Sequence, residues 1–293
     1  MADDVLDPRV HFPGMTDVHQ PRQTDLPPVP YPAASCGPGF AGRPDPRFVA
    51  AAVYDGIYAG YYDDLVAAME REWTALANKA LAKYETWKEK NDVRSAQAPN
   101  GVHAPSAEWR DVKGNETETI RRQGRISDII VTPLPSPRAK EPQDTGFEAA
   151  LLDSGRPILL VPHNKPLKVK DAKIVVAWNG SAEAARAVAA AMPLLHEAEQ
   201  VLVFTAAEGS VEAGMADELV AYLKWHRIPA SKLVHGSNEG VSVEEVLQAA
   251  AHKAGADLLV MGAYTHNRWR ELIFGGVTRH MFNHASMPVL MAH

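Results

Sequence analysis

The chain has 293 residues, room for two domains of ordinary size, with a hydrophobic fraction of 46%, a charged fraction of 23% and a formal net charge of −6. That composition excludes a disordered chain and argues against non-specific binding to nucleic acid. No run of about eighteen apolar residues occurs, and the acidic start MADDVLDPRV lacks the charged head and apolar stretch of a secretory signal. The expectation is a cytoplasmic protein with neither a membrane nor a nucleic-acid partner. The single cysteine, Cys36, cannot form an internal disulfide and has no basic neighbour to activate it, so it reads as an unreactive loop thiol.

In chain order, residues 1–46 are dense in Pro and Gly and follow neither apolar period, which predicts a mostly irregular segment. Phe48–Tyr54 is a short apolar run of strand length, weakened by its alanines. Leu65, Met69, Trp73, Leu76, Ala80, Tyr84 and Trp87 then recur at steps of three and four, predicting a long amphipathic helix with one face packed. Trp73 and Trp87 read as packing residues of that face, not as a ligand stack. Beyond a polar loop come a weak strand over Glu108–Val112, a polar helix over Glu116–Gln123 and strands over Asp128–Val131 and Pro157–Val161. The lysine-rich segment Asn164–Ala172 reads as a linker.

The second half alternates more cleanly. Strands are predicted over Lys173–Trp178, Val201–Phe204, Lys232–Val234, Asp257–Met261 and Val289–Met291. Helices are predicted over Ser181–Leu195, Asp217–His226, Val243–Lys253 and Val277–His284, with Ser242 and Glu245 in a capping-box pattern. This βαβαβαβαβ order describes an open, doubly wound parallel sheet.

Ser127-Asp128-Ile129-Ile130-Val131 mirrors Ala256-Asp257-Leu258-Leu259-Val260, and Arg156-Pro157-Ile158-Leu159-Leu160 mirrors Met287-Pro288-Val289-Leu290-Met291. The two pairs are offset almost equally, which favours duplication of one unit. Residues 47–163 then form a degenerate first copy, 164–172 the linker and 173–293 the complete copy. In the first copy, either Phe48–Tyr54 is the first strand of a shortened unit, or the first strand and helix are lost. Ile158–Val161 and Val289–Met291 are expected at sheet edges, where they pair with each other or mediate a dimer.

Ligands of such sheets sit beyond the carboxyl ends of strands, where the strand order reverses. Gly262 follows a strand directly, and Gly275-Gly276 opens a helix whose free N–H groups and dipole favour an anion. His266, Arg268 and Arg270 lie in the intervening loop and could pair with phosphate, and Arg279 is a further candidate. His280 and His284 are four apart on one helix, a ligand spacing, but without a third residue they read as surface groups and no metal site is expected. Ser181 reads as a helix N-cap. There is no G-x-S-x-G elbow, no G-x-x-x-x-G-K-S/T loop and no motif placing a carboxylate to orient water, so catalysis is not expected.

Met261-Gly262-Ala263-Tyr264-Thr265, Gly275-Gly276-Val277-Thr278-Arg279 and Met287–Met291, with Val176–Ser181 before them, resemble the universal stress protein family across essentially the whole second half. The resemblance implies two tandem doubly wound, Rossmann-like domains of the adenine nucleotide alpha hydrolase-like kind, the first incomplete or degenerate. It implies a stress-response role as a sensor or interaction protein, an intrachain pseudo-dimer of domains, and a homodimer of chains. It also implies an adenine nucleotide site for ATP, with magnesium beside it, on Ala177, Asn179, Ala206, Met261, Gly262, Thr265, His266, Arg268, Gly275, Gly276 and Val277. The family motif runs from one glycine to a second after two residues, then nine residues on to a third glycine followed by Ser or Thr. Here Thr265 replaces the second glycine and Gly276 the hydroxyl residue, while Asn179 stands where ATP-binding relatives carry Asp. These departures raise a nucleotide-free scaffold as the alternative, with an ATP-cleaving enzyme behind it.

Overall fold

The computed structural model describes residues 34–35, 59–95, 105–112, 114–134, 145–162, 165–206, 210–233, 241–263 and 276–293. The first half contains β1 (Ala34–Ser35), α1 (Ala59–Lys90), β2 (Arg94–Ser95), β3 (Ser106–Ala107), α2 (Glu116–Gly124), β4 (Ile130–Pro133), α3 (Thr145–Glu148) continued by a π-helical turn (Ala149–Asp153), and β5 (Ile158–Val161). The second contains β6 (Lys173–Ala177), α4 (Ala182–His196), β7 (Gln200–Phe204), α5 (Ser210–Trp225), β8 (Ala230–Lys232), α6 (Val243–Lys253), β9 (Leu258–Gly262), α7 (Gly276–His284) and β10 (Val289–Ala292).

Strands from both halves form one sheet in the order β1-β4-β5-β10-β9-β6-β7-β8. Its neighbours are parallel except β5 and β10, which run antiparallel. Parallel strands bury both faces, which is why β5 and β10 are apolar at every position and buried throughout. On one face, Ala187, Ala191 and Leu195 of α4 and Leu219 and Leu223 of α5 pack on a core that includes Ile174, Val203, Val260 and Leu290. On the other, Ile120, Phe147, Leu247 and Phe282 belong to a core that includes Ile130, Leu160, Leu259 and Met291. Phe147 and Phe282 meet with ring centroids 4.1 Å apart, joining the helices of the two halves.

The mirrored sequence pairs occupy the same register. Ile130 lies opposite Ile158 and Leu259 opposite Val289. The Ile130 N–H donates to the Pro157 carbonyl, and the Leu259 N–H to that of Pro288, each at 3.0 Å. The Leu134 N–H reaches the Val161 carbonyl at 3.0 Å, as the Ala263 N–H reaches that of Ala292 at 2.9 Å. Between the halves, Leu160 faces Val289, Leu159 faces Leu290 and Ile158 faces Met291. Leu159 and Leu290 are counterparts in the mirrored sequences, so the seam is self-complementary about that pair, as a two-fold contact requires. The two final strands therefore pair with each other and lie mid-sheet.

Several sequence expectations are corrected. Within residues 1–46 the described residues form β1, which pairs parallel with β4 in the place that β6 holds beside β9. Phe48–Tyr54 lies outside the described residues. The long helix forms, and on its apolar face Trp73, Ala80, Tyr84 and Trp87 are half-buried while Leu76 is 53% exposed; among the described residues α1 makes no extensive contact with the sheet. Glu108–Val112 is not a strand. Its Arg110 and Glu108 pair with each other at 2.7 Å, and Trp109 stacks on Tyr84 at 5.5 Å, while β2 and β3 form a separate parallel pair. The helical segment from Thr145 to Asp153 had no sequence forecast. Ser242 takes the N-cap conformation of α6 but makes no side-chain capping bond, so the capping box is not closed. β8 begins at Ala230 because the Pro229 carbonyl already accepts the Val201 N–H at 2.9 Å. In the linker, Leu167 and Ala172 are buried in the core.

Candidate functional site

The strand order of the second half reverses between β6 and β9, and backbone bonding opens a crevice there. Ala177 and Met261 are the last paired residues. Beyond them the Trp178 N–H turns to the Phe204 carbonyl of β7 at 2.8 Å, whereas the Ala263 N–H turns to the Ala292 carbonyl of β10. The two chains part in opposite directions, as at the ligand crevices of open α/β sheets.

One end of α4 fills the floor of this crevice. Ser181 caps it from an extended backbone, its hydroxyl accepting the Ala184 N–H at 3.1 Å. A Cβ on Gly262 would stand 2.5 Å from the Ala184 nitrogen and 2.8 Å from the Glu183 carbonyl carbon. Glycine is needed there because the first turn of α4 lies directly on the strand end, a steric demand separate from any ligand. Gly180, at φ +72°, supplies the left-handed turn between β6 and α4.

The charges at this end are equally specific. The Glu183 carboxyl is held below the ordinary carboxylate range, first by a hydrogen bond to its own backbone N–H. Partial burial opposes this, while the Arg186 guanidinium, the Ser181 hydroxyl and nearby His293 support it. Arg186 pairs with Glu183 at 2.9 Å. A carboxylate in the first turn of a helix satisfies the same free N–H groups and dipole that would attract an external anion. Asn179 is exposed, and its side-chain oxygen accepts the Ser181 N–H at 3.2 Å in a local turn. The His293 ring nitrogen Nδ1 lies 3.2 Å from the Ala263 carbonyl, closing the β9 side.

Of the residues anticipated from sequence, Ala177, Asn179, Ala206, Gly262, Gly276 and Val277 fall at the carboxyl ends of the strands or at the start of α7. The Met261 side chain is 4% exposed and belongs to the core, leaving only its backbone for a ligand. Thr265, His266, Arg268, Arg270 and Gly275 lie outside the described residues, as does Cys36. His280 bonds Gln248 through Nε2 at 2.9 Å, and its ring lies 4.9 Å from that of His284, so both act in the contact between α6 and α7. Among the described residues no group of three or more His, Cys, Asp or Glu could hold a metal ion. Sequence reasoning missed Glu183; its signal was an acidic residue in the first turn after a serine cap.

A two-layered helix cover over a mostly parallel sheet, with a crevice at its switch point, defines the class as a doubly wound, Rossmann-like α/β protein. Residues 172–293 match the family model described as the universal stress protein family. A universal stress protein from Archaeoglobus fulgidus DSM 4304 shares the fold at 14% identity and a TM-score of 0.56, over 82% of this chain and 84% of that one. A Burkholderia pseudomallei protein of the universal stress protein family is 24% identical over 41% of this chain and 95% of its own, with a TM-score of 0.32. Universal stress protein UspA from Lactobacillus plantarum is 16% identical over 43% of this chain and 100% of its own, with a TM-score of 0.34. Comparison of the sequence with curated proteins gives no match. Among the described residues, no helix is long and apolar enough to cross a membrane.

Proposed function

We propose that the chain is a non-catalytic stress-response protein, a sensor or adaptor, that takes an adenine nucleotide in the crevice between β6 and β9 of its second half. The observation that carries this reading is the parting of Trp178 and Ala263 toward opposite neighbours. The described walls fit a flat ring edge, because Ala177, Gly180, Ala206 and Gly262 are small and leave backbone groups accessible. Gly276, at the start of α7, offers a helix N-terminus on the same side. ATP, with magnesium as counter-ion, would rest on these backbone groups, its ring in the crevice and its phosphates toward α7. The two halves act as an intrachain pseudo-dimer joined at β5 and β10.

A nucleotide-free scaffold is the second reading, favoured by Glu183 and Asn179. The first places a fixed negative charge beside Gly262, and the second spends its side-chain oxygen on Ser181. Thermal unfolding of the full chain with increasing ATP and magnesium separates the two. Ligand at a hundred times its dissociation constant adds about 2.7 kcal/mol, a rise in Tm of roughly 5 °C or more. Binding predicts that rise, together with nucleotide in an acid extract of the purified protein. An unchanged Tm at millimolar ATP and a nucleotide-free extract establish the scaffold. ADP released no faster than in a buffer control supports the non-catalytic part.

A further inference from the structure

We infer that α1 is a homotypic docking arm, pairing antiparallel with α1 of a second copy of this chain. The helix has 32 residues, about 48 Å at the usual rise. Trp73 and Tyr84, Leu76 and Trp87, and Glu72 and Lys83 each stand eleven residues apart. Eleven residues span close to three full turns, so these positions stay aligned along one stripe of a nearly straight helix.

Among the described residues, aromatic contacts cover one end of the stripe. Tyr84 contacts Trp87 and Trp109, with ring centroids 6.2 and 5.5 Å apart, and the Lys88 ammonium lies over the Tyr84 ring. Toward the middle, Leu76 is 53% exposed, and Trp73, Ala77 and Ala80 are half-buried. No described strand of the sheet packs along the helix.

Charge selects the occupant. From Ala59 to Thr74 the helix carries Asp63, Asp64, Glu70 and Glu72 against Arg71. From Ala75 to Lys90 it carries Lys79, Lys83, Lys88 and Lys90 against Glu85 and Glu89. A second copy laid antiparallel sets acidic half against basic half at both ends, and parallel alignment sets like against like. With a two-fold axis near Leu76, the two Leu76 side chains meet, Trp73 faces Ala80 of the second copy, and Glu72 lies near that copy's Lys83. The contact is self-complementary, as a closed dimer requires. It is independent of the nucleotide reading, because α1 lies in the other half of the chain.

Sedimentation equilibrium of the full chain tests the inference. The expected species has twice the 31.9 kDa chain mass. Leu76→Glu raises the dimer dissociation constant by about tenfold or more, since it places a charge at the centre of the contact. Glu72→Lys weakens the dimer, and adding Lys83→Glu restores it, which only reciprocal antiparallel pairing explains. The surface charge variants keep the test decisive if Leu76→Glu folds poorly. A monomer at every concentration, a dimer indifferent to both single variants, or no restoration in the double variant overturns the proposal.

Discussion

β4 and β5 in the first half and β9 and β10 in the second share strand pairing and backbone bonds, yet the sheet continues differently on either side. Past β9 it gains β6, β7 and β8, with α4 and α5 closing one face. Past β4 it gains β1, two residues long, and the described chain between β1 and β4 holds α1, the small β2–β3 pair and α2. Pro133 and Gly262 make the contrast local, since they occupy equivalent ends of β4 and β9, opposite Val161 and Ala292. The second half needs glycine there because α4 presses its first turn on the strand end. The first half carries a bulky, rigid residue at the same place. A repeated seam thus persists while the strand end beside it changes from glycine to proline.

The seam should be the most sensitive place to break this likeness. Leu159→Ala and Leu290→Ala each remove a fully buried side chain from the paired centre. Each should cost about 2–5 kcal/mol in urea denaturation, and both halves should unfold in one transition. Separate transitions in the wild type would show that the halves are not coupled through the sheet.

Position 262 should separate the halves next. Gly262→Ala forces a methyl group onto backbone atoms of α4 and should lose about 1–3 kcal/mol. Pro133→Ala should stay within about 1 kcal/mol of wild type, because it removes only ring atoms at a half-buried site. Equal losses on chemical denaturation would erase the distinction between the two strand ends.

Smaller effects test the start of α4. Ser181→Ala removes the cap and should cost about 1 kcal/mol. Glu183→Gln should cost about 0.5–1 kcal/mol at pH 7. Because the folded carboxyl titrates below its unfolded range, its contribution is present above that range and is lost as pH falls through the folded value. Stability curves of wild type and Glu183→Gln should therefore converge in acid. A constant gap down to pH 3 would rule out ionised Glu183 as its source. Smallest of all, Leu76→Ala should change monomer stability by no more than about 0.5 kcal/mol, since that side chain is half in solvent.

Much of the second half was legible because its signals are local. Val175 and Val176 sit in a short buried run, Ser181 precedes an alanine-rich helix, and Asp257 opens β9. Those readings correspond to real contacts: Ser181 caps Ala184, and an Asp257 carboxylate oxygen accepts the Lys173 N–H at 3.0 Å. The first half was less legible. The stripe from Leu65 to Trp87 specifies a helix by period, but period does not say what the stripe packs on. Glu108–Val112 had too little apolar content to hold a sheet against its own ion pair and the Tyr84 ring. At the site, Gly262 and Asn179 were visible as residues but not in their roles. The role of Gly262 depends on the first turn of α4, which lies far along the chain from β9, and that of Asn179 on its own turn to Ser181.

What the sequence determined by itself was the alternation of elements, the likeness of two strand pairs and the resemblance of the second half to one family. Those follow from side-chain period, β-branched runs and turn residues, all readable over a few positions. Only the tertiary structure decided that β5 and β10 pair antiparallel, that β1 stands beside β4, and that Glu183 meets the end of β9. These outcomes depend on which buried faces and backbone groups find partners across long stretches of chain, and burial of that kind is a property of the packed whole.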